Sequence, residues 1–516
     1  MSGSLLRSTS VVSLMTLVSR VLGFVREILF AAQIGMGAAM DVFFVAFRIP
    51  NLFRRMFAEG AFTQAFVPVF TEARAQRSPE EVRRLVDVVS GTLAGVLAIV
   101  TAVAMLGAPA VMFLFAPGFA DDARKFAQGV ELLRWTFPYL FFISLTALVA
   151  GILNAHGKFA GAAFNPVWLN VCLIGAAWYF GSVEALAIGV FVAGIVQLAF
   201  LLPSVARLGL LPRPRWGWHD PQVRRIITLM VPIMLGSSAS QFSLILDTII
   251  ASFLPGDGAV SWLWYSDRLM EFALGTFSVA IATVMLPSLA RRHARAEADG
   301  FSATLDWGAR LTLLIGVPST LGLALLAGPL VSTVYQHGAV TAHDVTMTAW
   351  ALVAYALGFL GFSMVKVLVT GFYARQETRI PLRYAVMSFL AGMACSLGFT
   401  GLALRMDFAA PHAAIALATS TGAWINAALL YRRLRRDGIF RLQPGWRRFA
   451  VQLLLANGIM SAVLLLLAGD LGGWVAAATV DRIERLTWVI GAAVASYFTV
   501  LWVAGVRVRD FRHAPG

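Results

Sequence analysis

The chain has 516 residues, of which 59% are hydrophobic and only 13% charged, and its mean hydropathy is +0.77. A soluble globular domain carries roughly a quarter of its residues as charges, so this composition excludes that class and points to an integral membrane protein. The formal net charge of +14 is nearly all arginine, the only lysines being Lys125, Lys158 and Lys366. Those charges fall in short loops between apolar runs, which argues against nucleic acid as a partner and assigns them to membrane topology.

Hydropathy, punctuated by Pro, Gly and charge, predicts an all-α membrane protein of about fourteen transmembrane helices. The spans begin near residues 12, 40, 86, 126, 161, 184, 223, 259, 308, 344, 381, 411, 448 and 486. The first has the look of a signal peptide, but Arg20 and Arg26 interrupt its apolar run and no cleavage site follows directly, so it reads as a retained span. Arginine-rich loops such as "TEARAQRSPEEVRR" and "YRRLRRDGIFRLQPGWRR" follow even-numbered spans, whereas "GMGAAMD" and "LPGDGAV" follow odd ones. By the positive-inside rule both termini are cytoplasmic. Cys172 and Cys395 lie in separate apolar segments and read as packing residues rather than a disulfide or metal pair.

Sliding the chain against itself by about 220 residues brings Pro109 onto Pro329, Gly118 onto Gly338, Gly151 onto Gly371 and Glu27 onto Asp247. Six spans separate the copies, and an even number keeps their orientation. Two six-helix lobes related by a pseudo-two-fold along the membrane normal are therefore expected, over residues 1–220 and 221–440, with spans 13 and 14 in 441–516 outside the repeat.

Charges within the spans are the candidate chemistry, because an arginine at a helix centre costs about 2.5 to 3.5 kcal/mol on insertion scales and normally faces a cavity or partner. Span 1 carries Arg20, Arg26 and Glu27. In span 2, Asp41, Arg48, Arg55 and Glu59 fall on one stripe, with Asn51 beside it and Arg54 further round, although Pro50 disturbs the phase. In span 8, Asp267 and Glu271 are an i, i+4 pair and Arg268 and Glu271 an i, i+3 pair. Internal salt bridges and snorkelling are the plain alternatives. The arginines outnumber nearby carboxylates, however, and a cationic pocket at membrane depth suits an anion such as phosphate, which the guanidinium fork binds bidentately. No phosphate-binding loop or metal-spaced His pair is present in the sequence, so no cofactor is expected, and transport would draw on an ion gradient or the membrane potential.

"SRVLGFVRE" at 19–27, "DVFFVAFRIPNLFRRMFAEGAFTQAFVP" at 41–68 and "SWLWYSDRLMEFALG" at 261–275 resemble the MurJ (MviN) family of lipid II flippases, within the multidrug/oligosaccharidyl-lipid/polysaccharide exporter superfamily. The likeness runs the full length, through "APGFA" at 116–120, "TGFYARQET" at 370–378 and "QPGW" at 443–446. It implies outward movement of lipid II, an undecaprenyl-diphosphate disaccharide pentapeptide, across the cytoplasmic membrane by alternating access for cell-wall synthesis. The partners it implies are lipid II, the phospholipid bilayer, and cell-wall synthesis and division proteins. Arg20, Arg26, Arg54 and Arg268 match the family's cavity arginines, Asp41 and Glu271 match acidic positions of gating or substrate handling, and spans 13 and 14 resemble its lipid-tail groove. Some relatives coordinate sodium between spans 7 and 11. Asp247 is a candidate ion ligand, but "YAVMSFLAGMACSLGF" in span 11 offers no carboxylate or amide, which leaves sodium open. The alternatives are a flippase or exporter of the same superfamily for another cargo, and a membrane enzyme acting on lipid diphosphates. The enzyme would need a general base or metal-binding carboxylates near a membrane face.

Overall fold

In the computed structural model, which describes residues 3–507 and the side chains of residues 12–56, 61–234, 243–275, 277–278 and 280–507, each long apolar run is helical. The elements of the first half are α1 (Gly3–Ile34), α2 (Ala38–Phe53), α3 (Thr63–Gln76), α4 (Pro79–Leu106), α5 (Ala108–Phe115), α6 (Ala123–Thr136), α7 (Tyr139–Ala155), α8 (Phe159–Phe180) and α9 (Val183–Ala206). Those that follow are α10 (Pro221–Ser252), α11 (Ala259–Ala294), α12 (Ala298–Leu325), α13 (Ala327–Tyr335), α14 (Ala342–Tyr373), α15 (Arg379–Arg405), α16 (His412–Arg436), α17 (Trp446–Ala468), α18 (Leu471–Ala476) and α19 (Thr479–Val503).

Helix starts are set by local chemistry. Ser78 and Thr341 form capping boxes with Glu81 and Asp344, so two of the orphan N–H groups opening α4 and α14 find side-chain acceptors. Asp220 accepts from the Gln222 amide ahead of Pro221, whose missing N–H costs nothing in a first turn. Gly181, at φ +59°, closes α8 in the left-handed conformation that a side chain disfavours.

Helical segments lie at all fourteen expected positions, and among the described residues ten helices are long and apolar enough to cross a membrane, or eleven when α11, bent by 42° between Gly275 and Ala280, is counted as one span. This is a multi-pass membrane protein. The expected second span is not one regular helix: after Pro50 the backbone widens into a nine-residue π-helix, Arg54–Phe62, before α3 resumes. The fourth is broken between α6 and α7 at Pro138, which has no N–H to donate.

The repeat is visible in element lengths. α1 and α10 have 32 residues each, and α4 and α12 have 28 each, both followed by a short helix, α5 or α13. Packing divides the chain into two compact units, Met1–Val260 and Ser261–Gly516. α10 therefore groups with the first unit, although the repeat begins its second copy there, because Thr248 and Ser252 of α10 bond to Arg48 and to the Gly118 amide. The first unit's core stacks Phe62, Phe66 and Phe70 (5.4 Å between successive rings) beside α4, α7 and α9. In the second unit Gly358 and Gly361 let α14 approach α16 closely, and Ser420 donates to the Ala354 carbonyl at 2.7 Å, the small-residue packing that membrane helices use in place of hydrophobic burial. α17 and α19 form a further cluster around the buried Trp474, Met460 and Tyr497, while Leu466 and Trp488 stand exposed on their outer faces, where hydrocarbon would solvate them.

Candidate functional site

Arg26 and Glu27 are adjacent on α1, and both are withdrawn from solvent, with side chains 11% and 2% exposed. Arg26 pairs with Glu27 and also donates from Nη1 to Asn170 Oδ1 of α8 at 3.0 Å, while Asn170 Nδ2 donates to the Ser19 carbonyl. The guanidinium lies over the Phe30 ring, 5.6 Å from its centroid. Its Nε is buried with no hydrogen-bond partner among the described residues, a cost of about 1 to 3 kcal/mol unless another acceptor arrives. Arg20, two turns earlier, is exposed.

The expected stripe on the second span holds over α2 and not beyond it. Asp41 accepts the amide of Gly258, in the loop that follows α10, at 2.8 Å, and Arg48 bonds to Thr248 and the Leu244 carbonyl of α10 itself. These two therefore tie α2 to its neighbour within the first unit. Arg54 and Arg55 open the π-helix, so the 3.6-residue phase that put Arg55 and Glu59 on the stripe does not apply there. Arg54 Nε donates to Asn51 Oδ1 at 2.9 Å, Arg55 is half-buried, and the Glu59 side chain lies outside the described residues. π-helical turns inside α-helices recur at functional sites.

On α11 the expected i, i+3 pair forms, Arg268 Nη1 to Glu271 Oε2 at 2.6 Å. Arg268 also covers the Trp264 ring at 4.6 Å and is 26% exposed against 48% for Glu271, so this pair is wetter than that of α1. Asp267 and, on α10, Asp247 are half-buried. Among the described residues no three His, Cys, Asp or Glu side chains converge as a metal-ion cluster would.

Three participants were not singled out from the sequence. Asn170 carries a readable signal, one of two amides, with Asn165, in an apolar helix. Thr248 carries none. Lys125, which looks like an ordinary loop charge, sits between Asp257 at 3.0 Å and Asp41 at 3.6 Å, over the Phe119 ring. A cavity of about 410 Å³ opens there between Ala38, Asp122, Lys125, Gln128 and Glu131. The Lys125 and Arg124 amides capping onto Asp122 hold its carboxyl below the usual range.

Comparison with known proteins decides what this framework is. The family model described as "Lipid II flippase MurJ" matches residues 30–480. The chain belongs to the MurJ family. A Vibrio cholerae protein named "Probable lipid II flippase MurJ" is 44% identical over 99% of this chain and 98% of its own length. The Burkholderia cenocepacia "Lipid II flippase MurJ" is 40% identical over 99% of both. Among solved structures, a "Lipid II flippase MurJ, inward closed conformation" superposes with a TM-score of 0.78 at 24% identity, covering 97% of this chain and 99% of that one. An inward-facing multidrug resistance MATE transporter of the MOP superfamily reaches 0.64 at 14% identity, over 82% of this chain and 95% of its own, so the MurJ fold is shared with that exporter class.

Proposed function

We propose that this chain is a flippase moving lipid II from the cytoplasmic to the periplasmic leaflet of the bacterial inner membrane, with both termini cytoplasmic. The observation that carries the reading is identity of 40 to 44% over essentially the whole length to proteins named for that activity. The work is translocation rather than bond making. The repeat makes residues 1–220 and 221–440 the two lobes that alternate, with 441–516 receiving the lipid tail. Lipid II presents a diphosphate, and Arg20, Arg26, Arg54 and Arg268 are the side chains assigned to it. Arg26 is supported by its withdrawal from solvent, at 11% side-chain exposure, and by a buried Nε with no acceptor among the described residues. Asp41, Arg48, Asn51, Arg55, Glu59, Asp267 and Glu271 serve gating or substrate handling, and the bonds of Asp41, Arg48, Asn51 and Glu271 support that role. Energy comes from an ion gradient or the membrane potential, with Asp247 as the ion ligand, and cell-wall synthesis and division proteins are the partners.

Complementation of cells depleted of their own flippase tests the activity: the chain should restore growth at ordinary expression, and failure with normal membrane levels would reject it. Orientation is tested separately. A single cysteine at Ser78 should be shielded from impermeant thiol reagents outside intact cells, and one at Asp257 should react; labelling at Ser78 from outside would reverse the topology.

A further inference from the structure

Each copy of the repeat ends in a short irregular strap, and each strap returns over the third span of its own copy. After α9, the segment around Pro214-Arg215-Trp216 runs along α4; after α16, the segment around Pro444-Gly445-Trp446 runs along α12. In both, the residue before the proline donates its backbone N–H to a buried aspartate: Arg213 to Asp87 Oδ1 at 2.7 Å, and Gln443 to Asp306 Oδ1 at 3.1 Å. Asp87 and Asp306 are 5% and 2% exposed and occupy matching places on the paired 28-residue helices.

The surrounding bonds differ in kind but act alike. On α4, the Arg215 amide donates to the Asp87 carbonyl at 2.9 Å and the Gly217 amide to Thr92 Oγ1 at 3.0 Å. The strap lies so close that a Cβ on Gly91 would collide with the Arg215 backbone. On α12 the residue one turn after the aspartate is Arg310 instead of glycine; it pairs with Asp306 Oδ2 at 2.8 Å and donates to the Gln443 and Pro444 carbonyls. Trp446 Nε1 adds a bond to Asp306 Oδ1 at 2.7 Å, and Ser302 bonds to the backbone of Arg441. A buried carboxylate must have its oxygens hydrogen-bonded, and the strap amides supply a donor at one equivalent point in each copy.

We infer that Asp87 and Asp306 are repeat-equivalent positioning residues that fix the take-off of α10 to the body of α4 and that of α17 to α12, so that each outgoing segment is carried by the helices before it as the lobes move. The inference rests on the transport reading for its consequence and on the strap geometry for its basis.

Limited trypsin digestion of the full chain in lipid nanodiscs tests the straps, reading cleavage after Arg215 and after Arg441, with the exposed loop at Lys158 as internal control. Asp87→Ala and Asp306→Ala should each speed cleavage at their own strap about tenfold, because an anchoring acceptor is lost and the segment opens more often. Lys158 cleavage should be unchanged. Asp87→Asn keeps the Oδ1 acceptor and should cut at the parent rate, while Asp306→Asn, which loses only the Arg310 ion pair, should fall between. Lipid II movement should drop about tenfold in the alanine variants with binding unchanged. Parent-like cleavage in both alanine variants, asparagine as fast as alanine at Asp87, or equal acceleration at Lys158 would each overturn the inference. Should an alanine variant fail to reach the membrane, Thr92→Val and Ser302→Ala remove the second bond of each strap, and strap cleavage at the parent rate in both would overturn it equally. If the parent itself moved no lipid II, the function reading would fall while the cleavage comparison still decided the straps.

Discussion

α1 and α10 have the same length and hold an acid in the same repeat register, Glu27 and Asp247, yet the arginines of α10, Arg224 and Arg225, lie in its opening turns, whereas α1 carries Arg20 and Arg26 well inside. The positions matching Arg20 and Arg26 are Ser240 and Leu246, and those matching Arg54 and Arg55 are Leu274 and Gly275; only Arg48 has a counterpart, Arg268. Helix lengths, kinks and the strap aspartates, by contrast, occur twice. Duplication has preserved the frame and left most of the intramembrane arginine in one copy, Arg48 and Arg268 being the exception. The repeated frame should therefore matter for positioning and folding, and the arginines that one copy lacks, together with Arg268, for the cargo.

The sharpest way to break that distinction is at the unrepeated arginines. Arg26→Ala and Arg54→Ala should abolish growth in depleted cells, since losing one charged hydrogen-bond partner of a desolvated diphosphate weakens binding by about 1.5 to 3 kcal/mol; growth with membrane levels matched by immunoblot would remove them from the site. Lysine at Arg268 should restore transport only in part, because it keeps the charge but loses the planar fork suited to a diphosphate, and full restoration would make Arg268 a simple counter-charge. A strap contact should show a different signature: Gly91→Val should destabilise the fold by about 1 to 3 kcal/mol through overpacking against the Arg215 backbone, read as a lower thermal midpoint, leaving lipid II affinity intact in the folded fraction. Arg83→Ala and Arg435→Ala, near the start of α4 and at the end of α16 where the charges serve orientation, should stay within about 0.5 kcal/mol of the parent by the same assays.

How much of this was legible in the sequence follows from which interactions are local. The helix positions were, because an apolar run of spanning length has few alternatives in a membrane. So was the Arg268–Glu271 pair, three residues apart on a regular helix. The π-helix was not: Pro50 signals a disturbance, but whether the chain kinks or widens depends on the packing of α10 and α7 against it. The Arg26–Asn170 bond joins residues 144 apart and exists only because α1 crosses α8 at that height. The matching straps were hidden because α15 has 27 residues against 22 in α8, so an offset tuned to earlier landmarks has drifted by the time it reaches Trp216 and Trp446.

The account stands most directly on the movement of labelled lipid II to the outer leaflet in cells whose only flippase is this chain or its Arg54→Ala or Arg268→Ala variant, each at matched membrane levels. It predicts outward movement by the parent and a fall of roughly ten- to a hundredfold in either variant, the equivalent of one lost charged hydrogen-bond partner. Movement at the parent rate in both would contradict it, and the arginines would then be ion pairs that hold helices together and nothing more.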